Sequence, residues 1–156
     1  MPNAARTAAA CRIARLDRQK FNDLMASGDY DCAPRTSPGV PRVFERPDLI
    51  GLFLFARLTE RGRTARQASD VTCRVVGILA NAVIGGRDLP EHVAVAYGVN
   101  GGSFAAEASD VNPLGNVYLA GGASNPILLT EVWNIANLGA EVDRGLAEEA
   151  RVVGDD

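Results

Sequence analysis

The segment that most constrains the fold is residues 29–43, DYDCAPRTSPGVPRV, which carries three prolines and one glycine. Proline has no backbone N–H to donate and its ring clashes with the preceding helical turn, so no helix can run through this segment. The helical sequence on either side must therefore form separate helices. We expect extended pieces at residues 30–32 and 42–44, joined by a turn at residues 37–39 into a small hairpin, or wing.

Two short helices are predicted before this segment. Residues 3–13 are rich in alanine, the strongest helix former, and residues 18–27 repeat apolar side chains at intervals of three and four. Asp17 is suited to cap the second helix, because its carboxylate can accept from the free N–H groups of the first turn. Gly28 is typical of the left-handed residue that follows a helix. The N-terminal region is therefore predicted to be helix, turn, helix.

Two longer helices are predicted after the segment. Pro47 is tolerated in the first turn of a helix, where its missing N–H is not needed, and Gly62 is placed to end that helix. Thr64 is a candidate N-cap for a second helix over residues 65–83.

The sequence pattern changes after residue 86, where Gly- and Asn-rich turns separate short apolar runs. The runs predict strands at residues 93–97, 103–108, 117–120 and 127–135. Asn137 is a candidate cap for a last helix at residues 138–153. The predicted fold class is α+β, with two domains. Residues 1–84 form a winged helix-turn-helix with additional helices, and residues 85–156 form a small antiparallel sheet module with a C-terminal helix.

Charge is distributed unevenly between the two halves of the chain. Residues 1–75 hold 13 Lys and Arg against 8 Asp and Glu, a net charge of +5, whereas residues 76–156 hold 3 against 11, a net charge of −8. A basic half joined to an acidic half indicates that only the first half meets a polyanion. Chance segregation of charge is the alternative.

Helix, turn, helix, hairpin and helix is the element order of a winged helix-turn-helix, which suits DNA. A short helix fits the major groove, where Arg and Lys donate to guanine and Gln and Asn pair with adenine. Arginine and hydroxyl side chains on the wing suit phosphate oxygens. The candidate DNA-binding residues are Arg15, Arg18, Gln19, Lys20, Asn22, Arg35, Thr36 and Arg42.

The stretch RVFERPDLIGLFLFARLTERGRTARQA, residues 42–68, resembles the pattern that follows the wing in MerR-type regulators. The matching positions there are Arg42, Phe44, Asp48, Leu49, Leu52, Phe55, Leu58, Gly62 and Thr64. Looser matches upstream are Ala8, Ala9, Leu16, Asp17 and Phe21, so the resemblance covers roughly residues 3–80. It implies that the second helix reads the major groove through Arg18, Gln19, Lys20 and Asn22, and that Arg42 contacts phosphate. Small prophage-associated proteins share this kind of helix-turn-helix.

No grouping of side chains points to catalysis, a cofactor or a metal site, so we expect a protein that is not an enzyme. His92 is the single histidine, and the cysteines Cys11, Cys32 and Cys73 lack the spacing of a zinc site. They are expected to be reduced thiols. The longest apolar run, residues 49–56, is too short to cross a bilayer, and a cytoplasmic location is expected.

The exposed edges of the predicted strands call for a partner or a cover. Pairing of two copies would supply it and would set two reading helices at a fixed spacing on DNA. Tyr118 and Trp133 are the candidate anchors of that dimer interface. The expected partners are double-stranded DNA and a second copy of the chain, and a small-molecule effector is left open. The alternatives are a protein-interaction adaptor and a phage-type recombination or packaging accessory protein.

Overall fold

A computed structural model describes residues 3–117, 122 and 124–153, and the fold is α+β, as the sequence predicts. The described residues form five α-helices, five short strands and one 3-10 turn. In chain order the elements are β1 (Ala4–Arg6), α1 (Thr7–Ala14), α2 (Arg18–Ser27), β2 (Val43–Glu45), α3 (Arg46–Glu60), α4 (Ala65–Ile84), β3 (His92–Gly98), β4 (Ser103–Glu107), the 3-10 turn (Ala108–Asp110), β5 (Ile127–Asn134) and α5 (Ile135–Val153).

The chain divides into two compact units. The first takes the described residues of Met1–Val76 and Asn137–Asp156, and the second is Gly77–Ala136. This division differs from the expected boundary after residue 84, because most of α5 joins the N-terminal unit instead of the strand module. α5 also begins at Ile135, before the expected cap at Asn137.

The helix ends of the first unit follow the local signals in the sequence. The Asp17 carboxylate accepts from the Lys20 N–H at 2.8 Å and caps α2, and Gly28 follows the helix with a left-handed φ of 76°. Thr64 Oγ1 accepts from the Gln67 N–H, while the Gln67 side chain accepts from the Thr64 N–H. This reciprocal pair is a capping box, and it starts α4 where the sequence predicts.

The predicted wing hairpin is wrong in its pairing. β2 pairs antiparallel with β1 at the N-terminus, with Ala5 opposite Phe44, and residues 30–32 form no strand. Tyr30 is instead buried in the core. The predicted turn is present, since the Val40 N–H donates to the Ser37 carbonyl and Gly39 has a φ of 81°.

The core of the first unit is built around α3. Ten of its fifteen residues are buried, which is typical of a helix surrounded by other elements. Its start is fixed by a capping box between Glu45 and Asp48, with Pro47 in the first turn. Gly51 faces α4 so closely that an added Cβ would clash with Val76 Cγ2.

The second unit is a three-stranded antiparallel sheet in the order β4-β3-β5. Its strands confirm three of the four predicted ones, while most of the expected strand at residues 117–120 lies outside the described residues. On one face of the sheet, Ala94 and Ala96 pack with Val111 and Phe104 in a small core. β4 and β5 are the edge strands. Within the described ranges, no helix is long and apolar enough to cross a membrane.

The expectation of three reduced cysteines is also wrong. Cys32 and Cys73 form a disulfide, with their Cα atoms 5.2 Å apart, and only Cys11 is a free thiol among the described residues. The fold causes this pairing, because it brings the start of the loop after α2 against α4, across 41 positions of sequence.

Candidate nucleic-acid interface

The polar face of α2 is held outward by one buried aromatic side chain. Phe21 is only 1% exposed and packs edge-on against two other rings, with centroids 6.1 Å away in Tyr30 and 5.9 Å away in Phe44. Tyr30 in turn packs on Phe55 of α3 at 4.9 Å, and its burial raises the pKa of its hydroxyl group. Edge-to-face pairs of this kind stabilise by about 0.5–1.5 kcal/mol beyond their buried area, so these contacts favour the orientation of α2 in which Phe21 points inward and the polar side chains point outward.

Four predicted DNA-binding residues lie on the exposed part of this helix. They are Arg18, Gln19, Lys20 and Asn22. The structure adds a fifth polar group that the sequence reasoning did not count toward the face: Asp23 accepts a hydrogen bond from the Gln19 side chain at 3.0 Å. This bond orders the Gln19 amide and places one carboxylate among the cations.

The loop between α2 and β2, residues 31–42, carries three more of the predicted residues. Arg35 and Thr36 are exposed, and the Thr36 hydroxyl donates to the Val40 carbonyl at 2.5 Å, which closes the tip of the loop. Arg42 is half-buried, and its Nε has no hydrogen-bond partner in the part of the chain that the structure describes.

The residues that flank the loop on both sides pack against α2. Tyr30 precedes it and Phe44 follows it, and both rings pack on the same residue, Phe21. The residues on both sides of the loop therefore pack on the helix, although the loop is not the hairpin that the sequence predicted.

The remaining predicted residue, Arg15, lies in the turn between α1 and α2. It is exposed and has a left-handed backbone, with a φ of 54°, and its N–H donates to the Arg12 carbonyl. Glycine is the residue that adopts this conformation without cost. The side chain lines a shallow cavity of about 270 Å³ together with Arg12, Arg144 and Glu148.

Ion pairs separate the cations of the first unit into two groups. Arg12 pairs with Glu149 through two hydrogen bonds of 2.8 and 2.5 Å, and Arg46 pairs with Asp143 through two of 2.8 and 2.9 Å. These pairs lower the pKa of both carboxyl groups, chiefly through the arginine hydrogen bonds. Part of the acidic half of the sequence thus neutralises part of the basic half.

The second group, the cations without an ion pair, includes those of the candidate interface. No ion pair within the described ranges involves Arg15, Arg18, Lys20 or Arg35. Their charges are therefore available to an external anion, and all four are among the cations that the sequence assigns to DNA.

Of the two predicted dimer anchors, the structure describes one. Tyr118 lies outside the described residues. Trp133 is half-buried on β5, opposite Val93 of the central strand. The sequence reasoning missed the exposed apolar residues of the same edge strand, Leu128, Leu129 and Val132, which are 70%, 52% and 55% exposed. A break in the strict alternation of apolar and polar residues at Leu128 and Leu129 is the sequence signal that could have found them.

Comparison with known proteins identifies no family for this chain. No protein-family model matches it, and no curated protein matches its sequence. The resemblance to MerR-type regulators therefore stays a prediction that depends on the residues quoted above.

Proposed function

We propose that the protein is a sequence-specific DNA-binding transcriptional regulator, in which α2 enters the major groove and loop 31–42 contacts the phosphates beside it. The observation that carries the proposal is the anchoring of both ends of the loop on Phe21. That contact supports a single surface in which the reading helix and the phosphate-contacting loop act together.

The dimensions and side chains of α2 support this role. Its ten residues give a length of about 15 Å, and the major groove of B-DNA admits a helix across its width of about 12 Å. Arg18 and Lys20 are donors for guanine edges or phosphates, while Gln19 and Asn22 offer the amide geometry that pairs with adenine. Asp23 beside Gln19 would repel a phosphate, so we assign the contacts with bases and phosphates to the first turns of the helix, where Arg18 and Lys20 lie.

Dimerisation is the second part of the proposal. β5 is an edge strand that exposes Leu128, Leu129 and Val132, and such edges favour pairing with another chain. A second copy of the protein, with Trp133 near the contact, would bring two copies of α2 to one duplex. A role on DNA also implies a cytoplasmic site of action, which belongs to the same proposal.

A protein-interaction adaptor is the second candidate function, and the exposed apolar side chains on β5 are the observation that favours it. The two functions are separated by incubating the purified protein with fragmented genomic duplex and sequencing the retained DNA. We expect enrichment of a common motif, lost in an Arg18→Ala, Gln19→Ala, Asn22→Ala triple variant. Retention without enrichment, or none at all, would favour the adaptor.

A further inference from the structure

The disulfide joins loop 31–42, the proposed phosphate-contacting loop, to α4, a helix that is not part of the proposed DNA-binding surface. Cys32 lies at the start of loop 31–42, and Cys73 lies near the middle of α4. A second contact reinforces the same junction, since the Asp31 N–H donates to Ser69 Oγ at 3.4 Å and Ser69 lies one helical turn before Cys73. Two consecutive loop residues are thus fixed to one face of α4.

The disulfide lies beside a surface depression. Both cysteines are partly exposed, and a surface depression of about 490 Å³ opens onto Cys73, bordered by Gly28, Asp31, Ser69 and Arg74. Cys11 differs in every respect: it is 2% exposed, and burial raises the pKa of its thiol. Since the thiolate is the reactive form, Cys11 is not positioned to interfere with exchange at the disulfide.

We infer that Cys32–Cys73 is an exchangeable clasp, which orders loop 31–42 when oxidised and weakens DNA binding when reduced. This inference rests on the proposed function and adds its regulation. Disulfides in a reducing compartment are usually transient and redox-sensing, which agrees with the cytoplasmic site of action proposed above.

A dithiol reductant carries out the reduction in two exchange steps. Its first thiolate attacks Cys73 Sγ through the depression, forms a mixed disulfide and releases Cys32 as a thiolate, which takes up a proton. The second thiol of the reductant then displaces Cys73, and the reductant leaves as a disulfide. The protein gains two electrons and two protons, and the reductant loses the same number.

Reduction affects the loop because the disulfide limits the conformations that the loop can adopt in the absence of DNA. After reduction, loop 31–42 is held by the anchors at Tyr30 and at β2 and by the weak Asp31–Ser69 contact, without its covalent link to α4. A looser loop must be ordered when it meets phosphate, and that ordering has an entropic cost. We expect the affinity for duplex to fall roughly tenfold.

The test uses the full chain in oxidised form and after treatment with dithiothreitol without denaturant. Alkylation followed by mass measurement should show two new thiols, at Cys32 and Cys73, with Cys11 unmodified. Limited trypsin digestion should cut after Arg35 several-fold faster in the reduced protein. A Cys32→Ser, Cys73→Ser double variant should match the reduced protein with or without dithiothreitol, and Cys11→Ser should match wild type.

Affinity is measured by anisotropy of a fluorescein-labelled, mixed-sequence 40-base-pair duplex at low salt. Tighter binding by the oxidised form, restored on reoxidation, is the expected result. Equal affinity in both forms would overturn the inference while leaving the proposed function intact. A bond that resists dithiothreitol until the protein is unfolded, or an unchanged rate of cleavage at Arg35, would overturn the clasp itself. Absence of duplex binding in both forms would defeat the proposed function and the effect on affinity, and the digestion would still decide the clasp.

Discussion

Arg46 of α3 and Asp143 of α5, 97 positions apart, face each other through two parallel hydrogen bonds of 2.8 and 2.9 Å. Arg12 and Glu149 repeat the arrangement between α1 and the same C-terminal helix. An added methyl group at Gly145 would lie 2.9 Å from Ile13, so α5 also approaches α1 closely. Together these contacts explain why the last helix belongs to the N-terminal unit.

The Arg46–Asp143 pair should make stability depend on pH in the acidic range. The arginine hydrogen bond lowers the pKa of Asp143 in the folded protein, so its contribution is complete above the ordinary aspartate pKa of about 3.9. It is lost as pH falls through the lower folded-state pKa. Because both side chains are at least a third exposed, Asp143→Asn should reduce the free energy of unfolding by no more than about 1 kcal/mol at pH 7.

Urea unfolding of Asp143→Asn and wild type from pH 7 down to pH 2.5 would check this. The difference between the two proteins should shrink toward zero at the acidic end. Asp88→Asn serves as the control, since Asp88 is exposed and lies in no ion pair of the described ranges. A difference that stays constant with pH would mean that the pair contributes nothing through its charge.

Two helical glycines should respond in opposite directions to substitution by alanine. Gly51 lies where a Cβ would clash with Val76 and would touch Thr72 at 3.4 Å, whereas Gly77 has no atom within 4 Å of such a Cβ. Gly51→Ala should destabilise by about 1–3 kcal/mol through overpacking, and Gly77→Ala should stabilise by up to about 1 kcal/mol through helix propensity.

Chemical denaturation of each variant measures both effects. Adding Val76→Ala to Gly51→Ala should recover part of the loss, because it removes the methyl group that clashes. If the double variant is less stable than the sum of the two single changes predicts, the close approach of α3 and α4 at this point is not the cause.

The Arg15→Gly variant should be more stable to unfolding than the Arg15→Ala variant. Both substitutions remove the positive charge, but only glycine relieves the cost of a left-handed backbone, about 1 kcal/mol. Thermal unfolding should therefore rank Arg15→Gly above Arg15→Ala by several degrees. Equal melting temperatures would indicate that the turn between α1 and α2 is not left-handed in solution.

The sequence predicted the features that depend on local chemistry. Asp17, Gly28 and Thr64 fix helix ends through hydrogen bonds or backbone preferences that span four residues or fewer, so their signals are visible in the sequence. The three confirmed strands of the second unit are likewise bounded by turn residues. These elements would be recognised in any chain with the same local pattern.

The features that were mispredicted depend on distant parts of the chain. The β1–β2 pairing joins residues about 40 positions apart through strands of three residues, too short to show an alternation. The same separation hides the disulfide between Cys32 and Cys73. The α5 helix belongs to the first unit partly because Asp143 pairs with Arg46. In the sequence these two residues fall in the basic half and the acidic half of the chain, which we interpreted as two domains.

The central claim is that the unpaired cations of α2 bind duplex phosphates and base edges, and the salt dependence of binding tests it most directly. For each cation that contacts phosphate, the slope of log K against log salt concentration should become shallower by about 0.9 when that cation is neutralised. Arg18→Gln and Lys20→Gln should each reduce the slope and weaken binding, whereas Arg61→Gln, beyond the end of α3, should leave both unchanged. Equal slopes for all four proteins, or no binding at 50 mM salt, would contradict the claim.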